Sequence, residues 1–425
     1  MSNPLLEGSL RALNLFAGSE LAERVGLREP AQRWIAKGTQ LGAEWLQKQL
    51  RAARDEASED ADPRDRFDLS PTESQALVQQ AMRRFADEIL REAAAEAEDA
   101  GKPPDSVLRH ASELGLVQLA IPEAFGGAAE ERSPITSALA LEELARGDMA
   151  LALALAAPAS AAHLLVDFGT EAQKKAWLPR LAEDTLAAPA LLEARPLFDP
   201  RAPEAKAKSL RRGFRLRGRK AFVPLGRRAA FFLVSATLPG RGPRLFLVEA
   251  DRPGVNVYPE PAMGLRGADL CSLRLDVEVP DDALIGGDDF DHQRLVDLGR
   301  VGWGALAVGQ GQATLDYVKT YCNERVAFGE PITNRQSVAF LIADMAIELE
   351  GMRLMVWRAA ARAERGLDFT GQAHLAKLQC ARYGMKIGTD GVQLLGGAGF
   401  VREHPVERWY RHLRAVGVME GGVAA

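Results

Sequence analysis

The run Gln393-Leu-Leu-Gly-Gly-Ala-Gly-Phe400 closes a helical pattern that begins at Leu375. Glycines beyond a helix stop it and let backbone amides approach a ligand where larger side chains would intervene. Gly396, Gly397 and Gly399 supply such a cluster, although a plain helix stop has the same composition. On the N-terminal side, Val301 to Arg325 and Ser337 to Arg365 are rich in Ala, Leu, Met and Arg, with Phe340, Leu341, Met345 and Leu349 at helical rather than alternating spacing. Apolar residues so spaced over such lengths predict long packed helices. Between them lies Asn323-Glu-Arg-Val-Ala-Phe-Gly-Glu-Pro-Ile332, followed by Gln336. Beyond the glycines come Pro405-Val-Glu-Arg-Trp-Tyr-Arg411 and Met419-Glu-Gly-Gly422.

In that order and spacing, these segments resemble the acyl-CoA dehydrogenase family. Upstream, Ile121-Pro-Glu-Ala-Phe-Gly-Gly127, Leu141-Glu-Glu-Leu-Ala145, Phe168-Gly-Thr-Glu-Ala-Gln-Lys-Lys175 and Leu273-Arg-Leu-Asp-Val-Glu-Val-Pro280 look like that family's phrases too. The resemblance implies a mainly α fold with a central β domain: a helical N-terminal domain, a small β-barrel and a C-terminal four-helix bundle.

At 425 residues the chain exceeds one ordinary core, and two or three domains are expected. A composition of 47% apolar and 26% charged residues is that of a soluble globular protein. Lys and Arg total 53 against 58 Asp and Glu, and a net charge of -5 gives no general attraction to nucleic acid. Cys271, Cys322 and Cys380 are odd in number, far apart and set in apolar elements, as expected of reduced, buried thiols in a cytosolic compartment. The histidines show no metal-ligand spacing, so no metal site is expected. No apolar run reaches the roughly 20 residues of a spanning helix, and the N-terminus lacks the order of a signal peptide. The expected location is the cytoplasm, with peripheral contact at a membrane surface left open.

Residues 1–54 carry Leu6, Leu10, Leu13 and Ala17 on one helical face, then Trp34, Trp45, Leu46 and Leu50 in a second amphipathic stretch. Eight basic and five acidic side chains give this extension a local +3. It suits either an anionic membrane surface or a cap on the catalytic body or a neighbouring subunit. Residues 55–70 hold seven acids, two Arg and a Pro, the composition of a linker. Ser70-Pro-Thr-Glu-Ser74 offers a helix start, and residues 71–186 form the expected N-terminal helical domain. Within it, Met149 to Ala157 is almost purely apolar and Pro158-Ala-Ser-Ala-Ala162 is small. Core packing explains this stretch. In the resembling family it lines the acyl channel, where small side chains leave room for a longer chain. Residues 187–287 change to short runs such as Ala229 to Ser235, Arg244 to Val248 and Cys271 to Val279, punctuated by Gly and Pro, which predicts a small antiparallel β domain. Residues 288–425 form the C-terminal helical domain.

The resemblance implies α,β-dehydrogenation of a medium- to long-chain acyl-CoA. A saturated acyl-CoA then loses a proton from Cα and a hydride from Cβ. No side chain accepts a hydride, so FAD is implied. The base must be a carboxylate in an apolar slot, where desolvation raises its pKa toward neutrality. Glu420 occupies the family's position for it. The family's alternative position falls near Leu298 and Gly299, neither of which can take a proton. By resemblance, Arg325 contacts the FAD pyrophosphate, and Phe328, Gln336, Gln393, Gly396 and Gly397 surround the flavin nucleotide, partly across a subunit interface. Phe222 and Val223 belong to the segment along the flavin ring, and Arg300, Asp297 and Gly421 match positions near the CoA thioester. Asp297 and Arg300 equally suit a helix surface. The implied partners are an electron-transfer flavoprotein or similar acceptor and further copies of the chain, as a homodimer or a homotetramer built as a dimer of dimers.

The chain departs from the family pattern at the ring. Leu191-Leu-Glu-Ala-Arg-Pro196 replaces a Thr-Glu-Pro phrase, and Leu192 offers no hydroxyl. Phe222-Val-Pro224 ends where a Thr bonds the reactive flavin nitrogen, and Pro224 has neither hydroxyl nor N–H. Gly422 stands in place of another Thr, and the sequence given ends at Ala425, before the family's closing helix. These departures leave an alternative function, a flavin-poor, non-catalytic relative acting as a scaffold or as a subunit of a mixed complex. An oxidase is a close variant, and a DNA-binding relative is disfavoured by the net charge.

Overall fold

The computed structural model describes residues 69–288 and 290–419. The expectations for residues 1–54, for nearly all of the linker and for Glu420, Gly421 and Gly422 lie outside those residues.

Helix α1 (Glu73–Phe85) opens on a capping box: Thr72 accepts from the Gln75 N–H, and the Gln75 side chain reaches back to the Thr72 N–H. A π-helical turn, Ala86–Leu90, joins it to α2 (Arg91–Ala100), and α3 (Asp105–Glu113) follows. Asp148 separates α4 (Pro134–Gly147) from α5 (Met149–Phe168), and its Oδ1 caps α5 by accepting from the Ala150 and Leu151 N–H groups. Contrary to expectation, α5 is long and apolar enough to cross a membrane, with 20 residues running through Pro158. Most of its apolar window, 72%, is buried inside the protein, which makes it a core helix. Ser160, His163 and Asp167 break the run in sequence, but the helical period gathers them on one side. Helix α6 (Glu171–Ala182) completes the domain.

The middle domain is a seven-stranded sheet. Its strands are β1 (Ala187–Ala190), β2 (Lys206–Ser209), β3 (Phe214–Val223), β4 (Phe231–Leu238), β5 (Gly242–Glu249), β6 (Val255–Pro259) and β7 (Cys271–Val279). Their order is β1-β4-β2-β3-β7-β6, with β5 added on β4. Strand β7 alternates strictly, burying Cys271, Leu273, Leu275, Val277 and Val279 while exposing Arg274, Asp276 and Glu278. Strands β1 and β2 pair with β4 in parallel and the other pairings are antiparallel.

The C-terminal four-helix bundle comprises α7 (His292–Glu324), α8 (Gln336–Glu364), α9 (Thr370–Leu395) and α10 (Val406–Val416). Helix α7 begins well before Val301, because Asp291 caps it by accepting from the Arg294 N–H at 2.9 Å. Gln293, Arg294, Asp297 and Arg300 hide that first part from an apolar periodicity. A Cβ at Gly309 would fall 1.9 Å from the Glu142 carbonyl oxygen, so glycine permits the close approach of α4 and α7. Glu142 then ties α4 to α8, accepting from Arg353 Nε at 2.7 Å and Trp357 Nε1 at 3.1 Å. Helix α9 ends where expected, with Gly396 at φ 57°.

Candidate active site

A cavity of about 230 Å³ lies where α5, α7, the start of α4 and the sheet meet. Helix α7 lines it with Leu295, Gly299, Gly302, Trp303 and Leu306, one helical stripe, and α5 faces it with Leu153, Ala156, Ser160, His163 and Asp167. The rings of Phe168 and Phe290 meet at 5.1 Å, so the end of α5 lies beside the start of α7. The sheet contributes a wall of Leu191, Leu192, Phe222 and Pro224.

Phe222 therefore reaches the cavity, in the left-handed region at φ 51°, with its N–H donating to Glu260 Oε2 at 3.1 Å. Val223 turns the other way, into the sheet core. Asp297 and Arg300 occupy a neighbouring face of α7 rather than the cavity wall. Asp297 Oδ1 accepts from Gln293 Nε2 at 2.9 Å and pairs with Arg300 Nη1 at 3.4 Å. Burial pushes the Asp297 carboxyl up, against hydrogen bonds from Thr370 and Gln293 and the charge of Arg300.

The other candidates gather at the far end of the bundle. Arg325 caps α7, and its carbonyl accepts from the Ile332 N–H at 2.9 Å. Phe328 is 93% exposed at φ 56°, with the Arg335 guanidinium 4.8 Å from its ring centre. Gln336 opens α8, while Gln393, Gly396 and Gly397 close α9, and all four are exposed. Cys322 Sγ lies 3.9 Å from the Leu394 carbonyl oxygen and so holds the ends of α7 and α9 together. A Cβ on Gly396 or Gly397 would meet nothing within 4 Å, which leaves open space at the glycine amides. Such a platform suits the phosphates of a dinucleotide.

Three further groups were not singled out from the sequence. Lys220, fully buried behind the sheet wall, donates to Glu193 Oε1 at 2.6 Å, Ser235 Oγ at 2.9 Å and the Leu191 carbonyl at 3.2 Å. Burial lowers its pKa, outweighing Glu193. Glu193 also accepts from the Glu204 N–H at 3.0 Å and is outside the cavity wall, so it is not placed to serve as a base. Lys377 Nζ donates to the Met419 carbonyl at 3.2 Å and lies 6.0 Å from the ring of Trp303, which lines the cavity. Last, Arg132 Nη1 donates to Ser137 Oγ at 3.1 Å, and Arg132 Nε stands 3.4 Å from Asp167 Oδ1. Burial lowers the Arg132 pKa despite Asp167, and burial together with the Arg132 charge holds His163 well below its ordinary value, as a neutral imidazole. The signal in sequence was the appearance of Ser160, His163 and Asp167 at helical spacing in an otherwise apolar helix.

Models of the acyl-CoA dehydrogenase N-terminal, middle and C-terminal domains match residues 72–185, 190–277 and 292–423. The mitochondrial short-chain specific acyl-CoA dehydrogenase of Bos taurus is 32% identical over 361 residues, 82% of this chain and 87% of the relative. Butyryl-CoA dehydrogenase from Megasphaera elsdenii has a TM-score of 0.78 at 29% identity, covering 84% of this chain and 97% of that one. An FAD complex of PigA has a TM-score of 0.77 at 26% identity, covering 84% and 96%.

Proposed function

The chain belongs to the acyl-CoA dehydrogenase family, and on that premise we propose that it oxidises the Cα–Cβ bond of a medium- to long-chain acyl-CoA to the trans-2-enoyl-CoA with FAD bound. The observation that carries this proposal is the cavity itself, an apolar slot between α5 and α7 with a flat hydrocarbon wall on the sheet side. When bound, FAD supplies the acceptor for the Cβ hydride. Leu192, Phe222 and Pro224 would face its ring, while Arg325, Gln336, Gln393, Gly396 and Gly397 would hold its phosphates and nucleotide. The residues present fit a flavin dinucleotide gripped by its phosphates rather than by its ring.

Gly299 and Arg325 are separated along α7 by about 39 Å at 1.5 Å per residue, longer than an extended flavin dinucleotide. Ring and nucleotide sites would thus come from different copies of the chain, which supports a homodimer or a dimer of dimers. Glu420 is assigned to take the Cα proton. An apolar slot of the kind that Leu298, Val301 and Trp303 line favours the protonated form of a carboxyl group, which suits a base working near neutral pH.

Support for longer acyl chains comes from Ala156 and Ala157 on the wall, and from a second cavity of about 620 Å³ that shares Arg132, Ser137, Leu141, Ala156, Ser160 and His163 with the first. The Bos taurus relative is short-chain specific by name. Electrons would pass to an electron-transfer flavoprotein or similar acceptor. We place the enzyme in the cytoplasm, with peripheral contact at a membrane surface left open.

The test is an absorption spectrum of the purified protein, followed by anaerobic mixing with butyryl- to palmitoyl-CoA. The expected result is about one FAD per chain and bleaching that favours the longer esters. Colourless protein that cannot be reconstituted with FAD would replace this function with the scaffold.

A further inference from the structure

Strand β3 lies between β2 and β7, and the outward side chains of these three strands are mostly cationic. Lys206 stands opposite Arg217, Lys208 opposite Arg215 and Arg219 opposite Arg274, three directly facing pairs of like charge. Like charges opposite one another weaken a sheet, so a face that keeps three such pairs serves something other than stability. The turn from β2 to β3 adds Arg211 and Arg212, both exposed. That turn is fixed in place, because the Leu210 N–H donates to the Gly213 carbonyl at 2.9 Å and the Gly213 N–H donates to Asp281 Oδ1 at 2.7 Å.

On these strands and their turn, eight exposed or half-exposed cations face two carboxylates, Asp276 and Glu278, a local +6 on a chain whose net charge is -5. Arg215 Nε and Arg217 Nε donate to Asp276 Oδ1 at 2.7 and 3.0 Å, and Glu278 lies 3.8 Å from Arg215. Glu204, two residues before β2, is taken by Arg195. Lys206, Lys208, Arg211, Arg212, Arg219 and Arg274 are left with no carboxylate in ion-pair contact among the described residues. Two exposed side chains with apolar bodies flank them: Leu210 in the turn, 37% exposed, and Tyr258, opposite Ser272 on the same outer face and 49% exposed.

The arrangement decides what this face meets. Protein interfaces are depleted of charge at their cores, whereas the middle of this face is Arg217 between Lys206 and Asp276. A nucleic-acid site draws on rings for base stacking or on an element that enters a groove. Here a single tyrosine accompanies cations spread about 10 Å across three strands. An anionic bilayer asks for neither. Clusters of roughly four to eight Lys and Arg attract it without shape complementarity, and flanking Tyr and Leu side chains settle at the headgroup level. We infer that the outer face of β2, β3 and β7 docks the protein on a membrane of anionic lipid. A long-chain CoA ester is an amphiphile that partitions to the same surface, so docking brings the enzyme to its substrate. That consequence rests on the dehydrogenase function proposed above, while the docking itself does not.

The experiment is co-sedimentation of the full-length, FAD-loaded protein with vesicles of phosphatidylcholine, alone or with about one third phosphatidylserine, in the absence of any ester. One variant combines Lys206→Gln, Lys208→Gln, Arg211→Gln and Arg212→Gln, and a second combines Arg219→Gln with Arg274→Gln. A control set makes the same charge change as the first on exposed cations of the N-terminal domain: Arg84→Gln, Lys102→Gln, Arg109→Gln and Lys175→Gln. Wild type is expected on the phosphatidylserine vesicles only, and to leave them at about 0.5 M salt. A cation near the surface is worth about fivefold, so the first variant should lose at least about 50-fold in vesicle affinity and the second about 10-fold, against fivefold or less for the control. Melting temperatures of both variants should not fall, since each relieves like-charge pairs. Absent wild-type binding, binding that survives the first variant, or equal losses in the control set would each overturn the inference. Duplex DNA held more tightly than the vesicles, and lost in the same variants, would give the face to nucleic acid instead. Because no ester is present, none of these outcomes bears on the dehydrogenase function, which flavin bleaching tests separately.

Discussion

The ammonium of Lys220 donates to Glu193 Oε1 at 2.6 Å, with neither side chain more than 3% exposed. Ser235 Oγ and the Leu191 carbonyl take its other two donors, so the cation is saturated directly behind the Leu191 and Leu192 wall. Removing one partner of such a pair strands a buried charge, whereas replacing both with apolar groups is often nearly neutral. Lys220→Met is expected to cost about 3 to 5 kcal/mol, and the double change with Glu193→Leu to recover most of it. Urea unfolding midpoints of the two variants decide this, and equal losses in both would remove the pair as the cause.

Asp148 links the start of α5 to α10. While Oδ1 caps α5, Oδ2 meets Arg408 Nε at 3.2 Å and His412 Nε2 at 3.5 Å. The Leu265 N–H donates to His412 Nδ1 at 3.0 Å, which leaves Nε2 as the nitrogen facing Asp148. Burial alone would raise the Asp148 pKa, but His412, Arg408 and the Leu151 N–H together hold it below its ordinary 3.8. The native state therefore binds fewer protons than the unfolded chain in that range. Its stabilisation is complete above the ordinary value and disappears as pH falls through the folded one. Asp148→Asn should destabilise by about 3 kcal/mol near neutral pH. Its gap to wild type should narrow below pH 3.8 in denaturation series at both ends. A gap independent of pH would show that the charge is not what Asp148 contributes.

Leu192 and Pro224 both face the cavity and neither can donate a hydrogen bond from its side chain. Leu192→Thr and Pro224→Thr should each add one bond to the flavin ring, of about 0.5 to 1.5 kcal/mol, a two- to tenfold tighter Kd for FAD. Fluorescence titration of apoprotein measures it. Unchanged affinity in both variants would mean that the ring does not lie against this wall.

Long helices and the alternating β7 were legible because each repeats one simple period. The start of α7 was not, since Gln293, Arg294, Asp297 and Arg300 hide the apolar stripe while Asp291 supplies the cap. Asp297 and Arg300 could be named from sequence, but their direction depends on a few tens of degrees of helix rotation, and they point beside the cavity. Lys220 and Glu193 are 27 residues apart and meet only when β3 is laid on the chain after β1, so no local pattern announces them. Conversely, Ser160, His163 and Asp167 stand at i, i+3 and i+7, a spacing that becomes one stripe only once α5 is seen to run from Met149 to Phe168.

Glu420 lies outside the described residues, and the last described residue before it is Met419. Met419 is buried, its carbonyl accepts from Lys377 Nζ at 3.2 Å, and Lys377 sits 6.0 Å from the Trp303 ring on the cavity wall. The competing carboxylate, Glu193, is committed to Lys220. Glu420→Gln keeps shape and hydrogen bonding but removes the basic oxygen, so ester binding should survive while Cα proton abstraction fails. A general base contributes about 10² to 10⁴-fold, roughly 3 to 5 kcal/mol of barrier at 1.36 per decade. The check is anaerobic flavin bleaching by a series of saturated acyl-CoAs, wild type against Glu420→Gln, with affinity for a non-oxidisable thioether analogue of the CoA ester measured alongside. Bleaching lowered by that factor at unchanged affinity identifies the base, and a mutant that bleaches at nearly the wild-type rate rules Glu420 out.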